Sequence, residues 1–191
     1  TQYKLIAFID ADLPFNLVFL TDAEEVIKSG SSLVVGNRRL PTSRVHLPTG
    51  LLPSLFKRHL FGLLYNRAVR LLFGIDQSDT QCGIKLMTRE FATKLFCHLT
   101  CHGFSYDVEM FLLAQGHNDK VSSIPVTLLH DNAQSTLSLS RELIRSATSL
   151  AHLKYKKLRG EYQPRPALSQ GQNKLLQITS DDWGISPAVN E

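Results

Sequence analysis

The chain has 191 residues, 43% of them hydrophobic and 20% charged, which supports a packed core and excludes an intrinsically disordered segment. Its formal net charge of +4 is modest, and no nucleic-acid partner is expected. Three cysteines without a framework spacing indicate free thiols in a reducing, cytoplasmic compartment.

The first predicted element is a short strand that ends in two aspartates. Leu5–Ile9 is apolar at every position, as in a buried strand of a parallel sheet with helices on both faces. In an extended chain residues i and i+2 point the same way, so Asp10 and Asp12 can converge on one point. Two converging carboxylates favour Mg²⁺ or Mn²⁺, which in turn favours a diphosphate ligand. The alternative is that Asp12 only caps the turn that begins at Leu13-Pro14.

A helix, a second strand and a basic loop follow. The amphipathic pattern over residues 16–29 predicts the helix, and residues 32–36 are predicted as the strand. Arg38 and Arg39 come directly after this strand, and guanidinium groups match phosphate oxygens with two contacts at once. Phosphate recognition is one interpretation of these residues. An ordinary surface charge is the other, particularly for Arg39.

Residues 54–73 form the most unusual segment. Leucine and phenylalanine recur at helical spacing, and the only charges are the basic residues Lys57, Arg58, Arg67 and Arg70. Such a helix can be a core helix with a solvated basic face, or it can lie on an anionic membrane surface. No apolar run approaches the ~20 residues of a membrane-spanning helix, so any membrane contact is expected to be peripheral.

The remaining elements alternate in type. Strands are predicted at 83–87 and 121–129 and helices at 89–99, 108–115 and 140–158. Pro125 marks 121–129 as an edge strand, because proline cannot donate to a ladder. Alternating strands and helices with acids at strand ends indicate a nucleotide or phosphate site on an α/β sheet. Residues 160–173 are rich in Pro, Gln, Gly and Ser and are predicted to be a linker.

Five segments in a fixed order carry a family resemblance. They are Asp10-Ala11-Asp12, Gly36-Asn37-Arg38, the basic helix from Lys57, the run S-D-T-Q-C-G-I-K from Ser78 to Lys85, and the run F-S-Y-D-V-E from Phe104 to Glu109. In this order they resemble the inverting GT-A glycosyltransferases that load a sugar onto a polyprenyl phosphate, such as the dolichyl-phosphate glucosyl- and mannosyltransferases. The likeness covers residues 1–159. It implies a partial GT-A, Rossmann-like α/β sheet with flanking helices and a basic C-terminal helix.

The resemblance implies a donor site at the first strand. Asp10 and Asp12 would bind Mg²⁺ or Mn²⁺ together with the diphosphate of a nucleoside-diphosphate sugar. Pro14 stands where some relatives have a further metal ligand. The family also begins with a βα half that carries the nucleotide-base pocket, and residues 1–159 lack it. We therefore expect this chain to have little or no transferase activity on its own.

The resemblance also implies an acceptor site for a polyprenyl phosphate lipid. Arg38 would bind the lipid phosphate and Arg58 would make the second phosphate contact. Asp79 and Asp107 are the candidate catalytic residues, Asp79 as a base or acceptor-side ligand and Asp107 as support from the following helix together with Glu109. The alternative for the last two is a helix cap and a solvated helix face. The basic helix would hold this site against the cytoplasmic face of a membrane.

Residues 174–191 carry a second resemblance. The sequence from Ile178 to Glu191 is similar to the opening of YdjC-like carbohydrate deacetylases, in which a strand delivers two aspartates, here Asp181 and Asp182, to the mouth of a barrel. One would act as a base and the other as a metal ligand, but the later histidine ligands are absent from this chain. The implication is a longer protein that fuses a sugar transferase to a sugar deacetylase.

Three functional hypotheses are therefore compatible with the sequence. The first is the catalytic and acceptor-binding part of a metal-dependent polyprenyl-phosphate glycosyltransferase. The second is a non-catalytic membrane-surface module that docks a fused enzyme. The third is part of a metal-dependent carbohydrate deacetylase, which only the resemblance of residues 174–191 supports.

Overall fold

A computed structural model describes residues 4–11, 14–45, 52–100, 105–129, 139–163, 179–181 and 184–186, with side chains for 4–11, 14–44, 60–100, 105–129 and 145–163. The strands are β1 Leu5–Ile9, β2 Leu33–Asn37, β3 Arg44–Val45, β4 Ile84–Thr88, β5 Val121–Pro125, β6 Thr127–Leu128, β7 Thr179–Asp181 and β8 Gly184–Ser186. The helices are α1 Val18–Lys28, α2 Leu52–Phe73, α3 Arg89–His98, α4 Ser105–Gly116 and α5 Leu139–Leu158.

Local sequence signals account for where these elements begin and end. Thr88 caps α3 because its hydroxyl accepts a hydrogen bond from the Phe91 amide at 3.2 Å, and Glu90 adds an acid to the first turn. After α1, Gly30 takes a positive φ of 100°, a conformation that favours glycine and ends the helix. The predicted helices and main strands are therefore confirmed, with boundaries that move by up to three residues, but the single strand predicted at 121–129 is wrong because the structure divides it into β5 and β6, which belong to different sheets.

The main sheet corrects one expectation about β1. Its order is β1-β4-β2-β5, with β4 antiparallel to both β1 and β2 and only the β2–β5 pair parallel. The apolar run Leu5–Ile9 predicted a buried strand of a parallel sheet, and this is wrong. An apolar run carries no information about strand direction, and β1 is half-buried because in the described part of the chain it pairs on one edge only.

Helices cover both faces of the sheet and divide the core into two clusters. Side chains alternate along β4, so Ile84 and Leu86 pack on the α1 side together with Val34. Met87 packs on the opposite side, in the larger cluster formed with α2, α3, α4 and α5. The architecture is a mixed α/β fold, consistent with a partial Rossmann-like domain. Pro125 lies in β5 at an end of the sheet order, as predicted for an edge strand.

Helix α2 has two apolar faces. Tyr65, Val69 and Phe73 are buried in the larger core cluster. Five leucines on the rest of the surface are exposed, and Arg67 and Arg70 are exposed beside them. The exposed leucines are Leu60, Leu63, Leu64, Leu71 and Leu72. One face of α2 is thus core and another is an exposed apolar surface, and the membrane interpretation of this segment stays a prediction.

The end of the described core lies just beyond α5. The predicted linker began at Gly160, but Tyr162 is 4% exposed and donates its hydroxyl to Glu109 Oε1 at 3.2 Å. Residues 160–163 therefore pack on α4, and 164–173 lie outside the described residues. Further along, β7 and β8 form an antiparallel pair. Within the described residues, no helix has the length and apolar character needed to cross a bilayer.

Candidate functional site

One loop, residues 78–83, organises the candidate site, and we call it the site loop. It joins α2 to β4 and contains the D-T-Q-C-G run of the motif. Nearly every residue of the loop contacts a neighbouring element through a polar group. The contacts are Ser78 Oγ with Asn37 Nδ2 at 2.8 Å, Thr80 Oγ1 with Asn66 Nδ2 at 3.2 Å, Gln81 O with Arg38 at 3.1 Å, Cys82 O with Lys85 at 2.7 Å and Gly83 O with the Asp10 amide at 2.8 Å.

Arg38 and Asp79 form the strongest of these contacts. The guanidinium donates from Nε to Oδ2 at 2.8 Å and from Nη2 to Oδ1 at 2.9 Å, and the Arg38 amide donates to Oδ2 at 3.0 Å. This is a bidentate contact with a carboxylate that is 2% exposed. Burial alone would raise the pKa of Asp79, but the bonds and charge of Arg38 hold it below its ordinary value. Asp79 is thus an ionised partner of Arg38.

Asp10 lies against the other end of the site loop. Its carboxylate occupies the space that a Cβ on Gly83 would fill, so glycine is required at that position for Asp10 to sit there. The negative charge of Asp10 also raises the pKa of Arg38, which places the two side chains within electrostatic range of each other. The predicted donor residue and the predicted acceptor residue therefore share one site.

Lys85 and Asp107 complete the charged cluster. Lys85 Nζ lies 2.9 Å from Asp107 Oδ1, and the lysine side chain is 1% exposed. Burial raises the pKa of Asp107, the Lys85 charge opposes this rise, and the charges of Asp10 and Asp79 add to it. The net result is a raised pKa. Three carboxylates and the two cations Arg38 and Lys85 thus meet at one end of the sheet.

The predicted site residues divide into those that the structure brings together and those outside its description. Asp10, Arg38, Asp79 and Asp107 are brought together. Asp12 and Asp182 lie outside the described residues, and Arg58 and Asp181 lie in α2 and β7 with side chains outside them. Among the described residues, no three His, Cys, Asp or Glu side chains are placed to hold a metal ion. The metal prediction, which needs Asp12, stays a prediction.

Glu109 and Arg39 were each left with two interpretations by the sequence. Glu109 was given a site role or a solvated helix face, and the solvated face is wrong because Glu109 is 0% exposed. Its carboxylate accepts from Thr100 and from Lys156 and Tyr162, and the last two join α4 to the end of α5. Arg39 is exposed, as expected of a surface charge, and its Nη2 also donates to the carbonyl of Gly62 in α2 at 3.2 Å.

Lys85 is the site residue that sequence reasoning missed. It belongs to the quoted motif, but no role was assigned to it. The available signal was a lysine in the middle of the apolar strand Ile84–Thr88, because a charged residue in a central strand needs a buried partner. Its partner Asp107 is far along the chain and could not be identified from spacing.

These features define a mixed α/β domain with a cluster of charged side chains at one end of its sheet. The cluster contains an arginine in bidentate contact with a carboxylate, a lysine and two further carboxylates. No family model matches the chain. The similar proteins that are known by name are glycosyltransferases. They confirm the class of enzyme to which this chain is similar.

Three relatives define the extent of that similarity. The chain is 28% identical over 174 residues to the dolichyl-phosphate beta-glucosyltransferase of Saccharomyces cerevisiae, covering 85% of this chain and 50% of that protein. It is 30% identical over 129 residues to dolichyl-phosphate beta-glucosyltransferase ALG5C of Trichomonas vaginalis, covering 64% and 36%. It is 29% identical over 122 residues to glycosyltransferase AglD of Haloferax volcanii, covering 63% and 18%. The chain thus spans half or less of the length of these relatives.

Proposed function

We propose that this chain is part of an enzyme that transfers a sugar from a nucleoside-diphosphate sugar to a polyprenyl phosphate. The observation that supports this most is the arrangement around the site loop, where Asp10, Arg38, Asp79 and Asp107 share one charged cluster. The similarity to dolichyl-phosphate glucosyltransferases supports the choice of acceptor.

On the donor side, Asp10 together with Asp12 would hold Mg²⁺ or Mn²⁺. The donor chemistry fits, because Asp10 supplies carboxylate oxygens and hard divalent cations prefer such oxygens. When bound, such an ion would neutralise charge on the diphosphate leaving group. Gly83 leaves the space in which the Asp10 carboxylate lies.

On the acceptor side, Arg38 would bind the lipid phosphate. A phosphate monoester is already anionic at neutral pH, so it needs orientation and charge neutralisation more than a base. In the structure Asp79 occupies two donors of the Arg38 fork. Asp79 therefore fixes the guanidinium plane, and a phosphate would either use the remaining donors or replace the carboxylate.

Arg38→Lys tests the acceptor assignment, because it keeps a positive charge beside Asp79 but removes the fork. In the full-length protein, with UDP-glucose and dolichyl phosphate as probes, we expect the KM for dolichyl phosphate to rise roughly tenfold, in proportion to one lost charge-assisted bond. Arg145→Ala, on the exposed side of α5, is the control that should change nothing. Unchanged acceptor kinetics in Arg38→Lys would remove Arg38 from the acceptor site.

We also propose that the exposed leucines of α2 bring this site to an anionic membrane surface, with Arg67 and Arg70 facing the lipid head groups. Replacing Leu60, Leu64 and Leu71 by Gln should abolish flotation with phosphatidylserine-containing vesicles. Replacing the exposed Leu17 and Val18 before and in α1 is the matched control.

The same surface supports the second candidate, a non-catalytic membrane module. An assay of the full-length wild-type protein distinguishes the transferase from the membrane module. Flotation without sugar transfer from any nucleoside-diphosphate sugar would favour the module. A deacetylase function has no support beyond the resemblance of the tail.

A further inference from the structure

Lys85 is the most enclosed charge of the candidate site. It occupies the second position of β4, opposite Phe8 of β1 and Val35 of β2 in the sheet register. Its side chain is 1% exposed and extends on the face of the sheet that α2 to α5 cover. A lysine in this position loses its hydration, and the fold keeps it charged only where other groups replace the lost water.

Three groups surround the Lys85 ammonium. Nζ donates to the carbonyl of Cys82 in the site loop at 2.7 Å and lies 2.9 Å from Asp107 Oδ1. It also lies 5.2 Å from the centre of the Phe8 ring, within the range of a cation–π contact. Lys85 therefore connects β1, the site loop and the first turn of α4 through one atom.

Asp107 is held on one side only. Its carboxylate lies in the first turn of α4 and is 17% exposed. Lys85 contacts Oδ1, and the described part of the chain provides no hydrogen-bond donor to Oδ2. One oxygen is thus fixed by Lys85, and the carboxylate as a whole lies within electrostatic range of Asp10 and Asp79.

We propose that Lys85 is a positioning residue for Asp107, and that it fixes this carboxylate so that its second oxygen faces the bound sugar nucleotide or its reacting centre. The proposal rests on the proposed function. The carbonyl of Cys82 couples the same ammonium to the site loop, so Lys85 sets the position of Asp107 relative to Asp79 and Arg38. No other described cation contacts Asp107.

The chain contains a matched control pair. Lys156 Nζ lies 2.6 Å from Glu109 Oε1 and 5.1 Å from the centre of the Tyr162 ring, so it repeats the lysine, carboxylate and aromatic ring of the first pair. Glu109 comes two residues after Asp107 on the same helix, but it contacts α5 and not the site loop. A substitution there disturbs α4 without touching the cluster.

The experiment compares Lys85→Met, Asp107→Asn and the double variant in the full-length protein, with UDP-glucose and dolichyl phosphate as probes. Each single variant should lower kcat roughly a hundredfold, as expected for a misplaced reacting group, with a smaller change in the donor KM. The double variant should lose no more than the worse single variant. Its melting temperature should nevertheless lie above that of Lys85→Met, because no unpaired charge stays buried.

Each other outcome has a distinct meaning. Losses that multiply in the double variant would show independent roles, and activity that returns with the melting temperature would show a purely structural pair; either result overturns the proposal. So do unfolding effects that simply add, because they would show that Lys85 and Asp107 do not interact. The variant pair Lys156→Met and Glu109→Gln combined is the control for unfolding, and its melting temperature should likewise lie above that of Lys156→Met alone. An inactive wild type would instead refute the proposed function, while the unfolding data would still report the pair.

Discussion

Two lysine–carboxylate pairs on helix α4 have the same parts and different surroundings. Asp107 pairs with Lys85 at 2.9 Å, and Glu109 pairs with Lys156 at 2.6 Å, each lysine beside an aromatic ring. Glu109 accepts from three residues through both oxygens and is 0% exposed. Asp107 has one described partner and two further carboxylates in electrostatic range.

The difference separates a structural pair from a site pair. A fully buried carboxylate whose two oxygens both accept hydrogen bonds from the core has no room for a further ligand, so Glu109 fastens α4 to α5. A carboxylate with an unoccupied oxygen beside like charges is less stable than it could be, which is typical of functional sites. The same chemistry in the same helix thus serves packing at one position and is available for a ligand two residues earlier.

The largest expected effect is on the Lys156–Glu109 pair, which lies in the core. Lys156→Met leaves the Glu109 charge buried without its cation, and we expect a loss of about 3–5 kcal/mol in the free energy of unfolding, measured with denaturant on the full chain. Combining it with Glu109→Gln should recover part of this loss, because the amide can keep neutral hydrogen bonds to Thr100. A loss no larger than that of a surface variant would contradict the assignment of Glu109 as a structural anchor.

Breaking the Lys85–Asp107 pair should cost less unfolding free energy than breaking the Lys156–Glu109 pair. In Lys85→Met the Asp107 carboxyl, whose pKa is already raised by burial and by the neighbouring acids, can take up a proton near its exposed side. We therefore expect a loss of about 1–3 kcal/mol in unfolding free energy. The ratio of the two losses is the direct measure of the comparison. Equal losses in Lys85→Met and Lys156→Met would mean that the Asp107 and Glu109 carboxylates do not differ in how fully their hydrogen bonds are satisfied.

Much of this fold was accessible from the sequence, because periodicity defines elements. The predicted helices and main strands lie where expected to within three residues, apart from the strand at 121–129, which is divided between β5 and β6. The direction of β1 was not accessible, since the apolar run has the same pattern in a parallel and an antiparallel sheet. The Glu109 environment was also hidden, because its partners Lys156 and Tyr162 lie 47 and 53 residues away along the chain.

The candidate site shows the same division. The structure brings together Asp10, Arg38, Asp79 and Asp107 of the motif, and their roles in a site stay predictions. The motif gave no information on which of these charged side chains contact each other. The fork between Arg38 and Asp79 spans 41 residues, and it places the predicted phosphate ligand and the predicted base in direct contact. Pairing of this kind depends on the path of the site loop, which spacing does not determine.

The third acid of the cluster, Asp79, should differ from Asp107 in its response to pH. Its folded-state pKa is lowered, so it contributes stability above the ordinary value of about 3.9 and loses that contribution as pH falls through the folded value. Asp107 has the opposite sign, because its raised pKa makes the ionised form a cost that acid relieves. Asp79→Asn should therefore cost about 1–2 kcal/mol at neutral pH and flatten the acid limb of the stability profile.

Denaturant unfolding of wild type and Asp79→Asn from pH 7 to pH 3 measures this difference. The two stability curves should approach each other toward acid pH, because below about 3.9 the unfolded wild type takes up a proton that Asp79 paired with Arg38 resists, and the variant has no such carboxylate. Curves that stay parallel over this range would show that the Asp79 carboxylate is not held ionised by Arg38, and would place it with Asp107 as an under-satisfied acid.

The smallest expected effect marks the solvated limit of the comparison. Lys28 on α1 contacts Glu24 at 3.1 Å and Glu25 at 2.8 Å, distances as short as those of the buried pairs, but all three side chains are about half exposed or more. Water screens such charges and holding long side chains in place costs entropy, so Lys28→Ala should leave the unfolding midpoint unchanged within error. Distance alone would rank this pair beside Lys85–Asp107. A midpoint shift in Lys28→Ala as large as that of Lys85→Met would therefore show that burial and partner number are not what distinguishes the pairs.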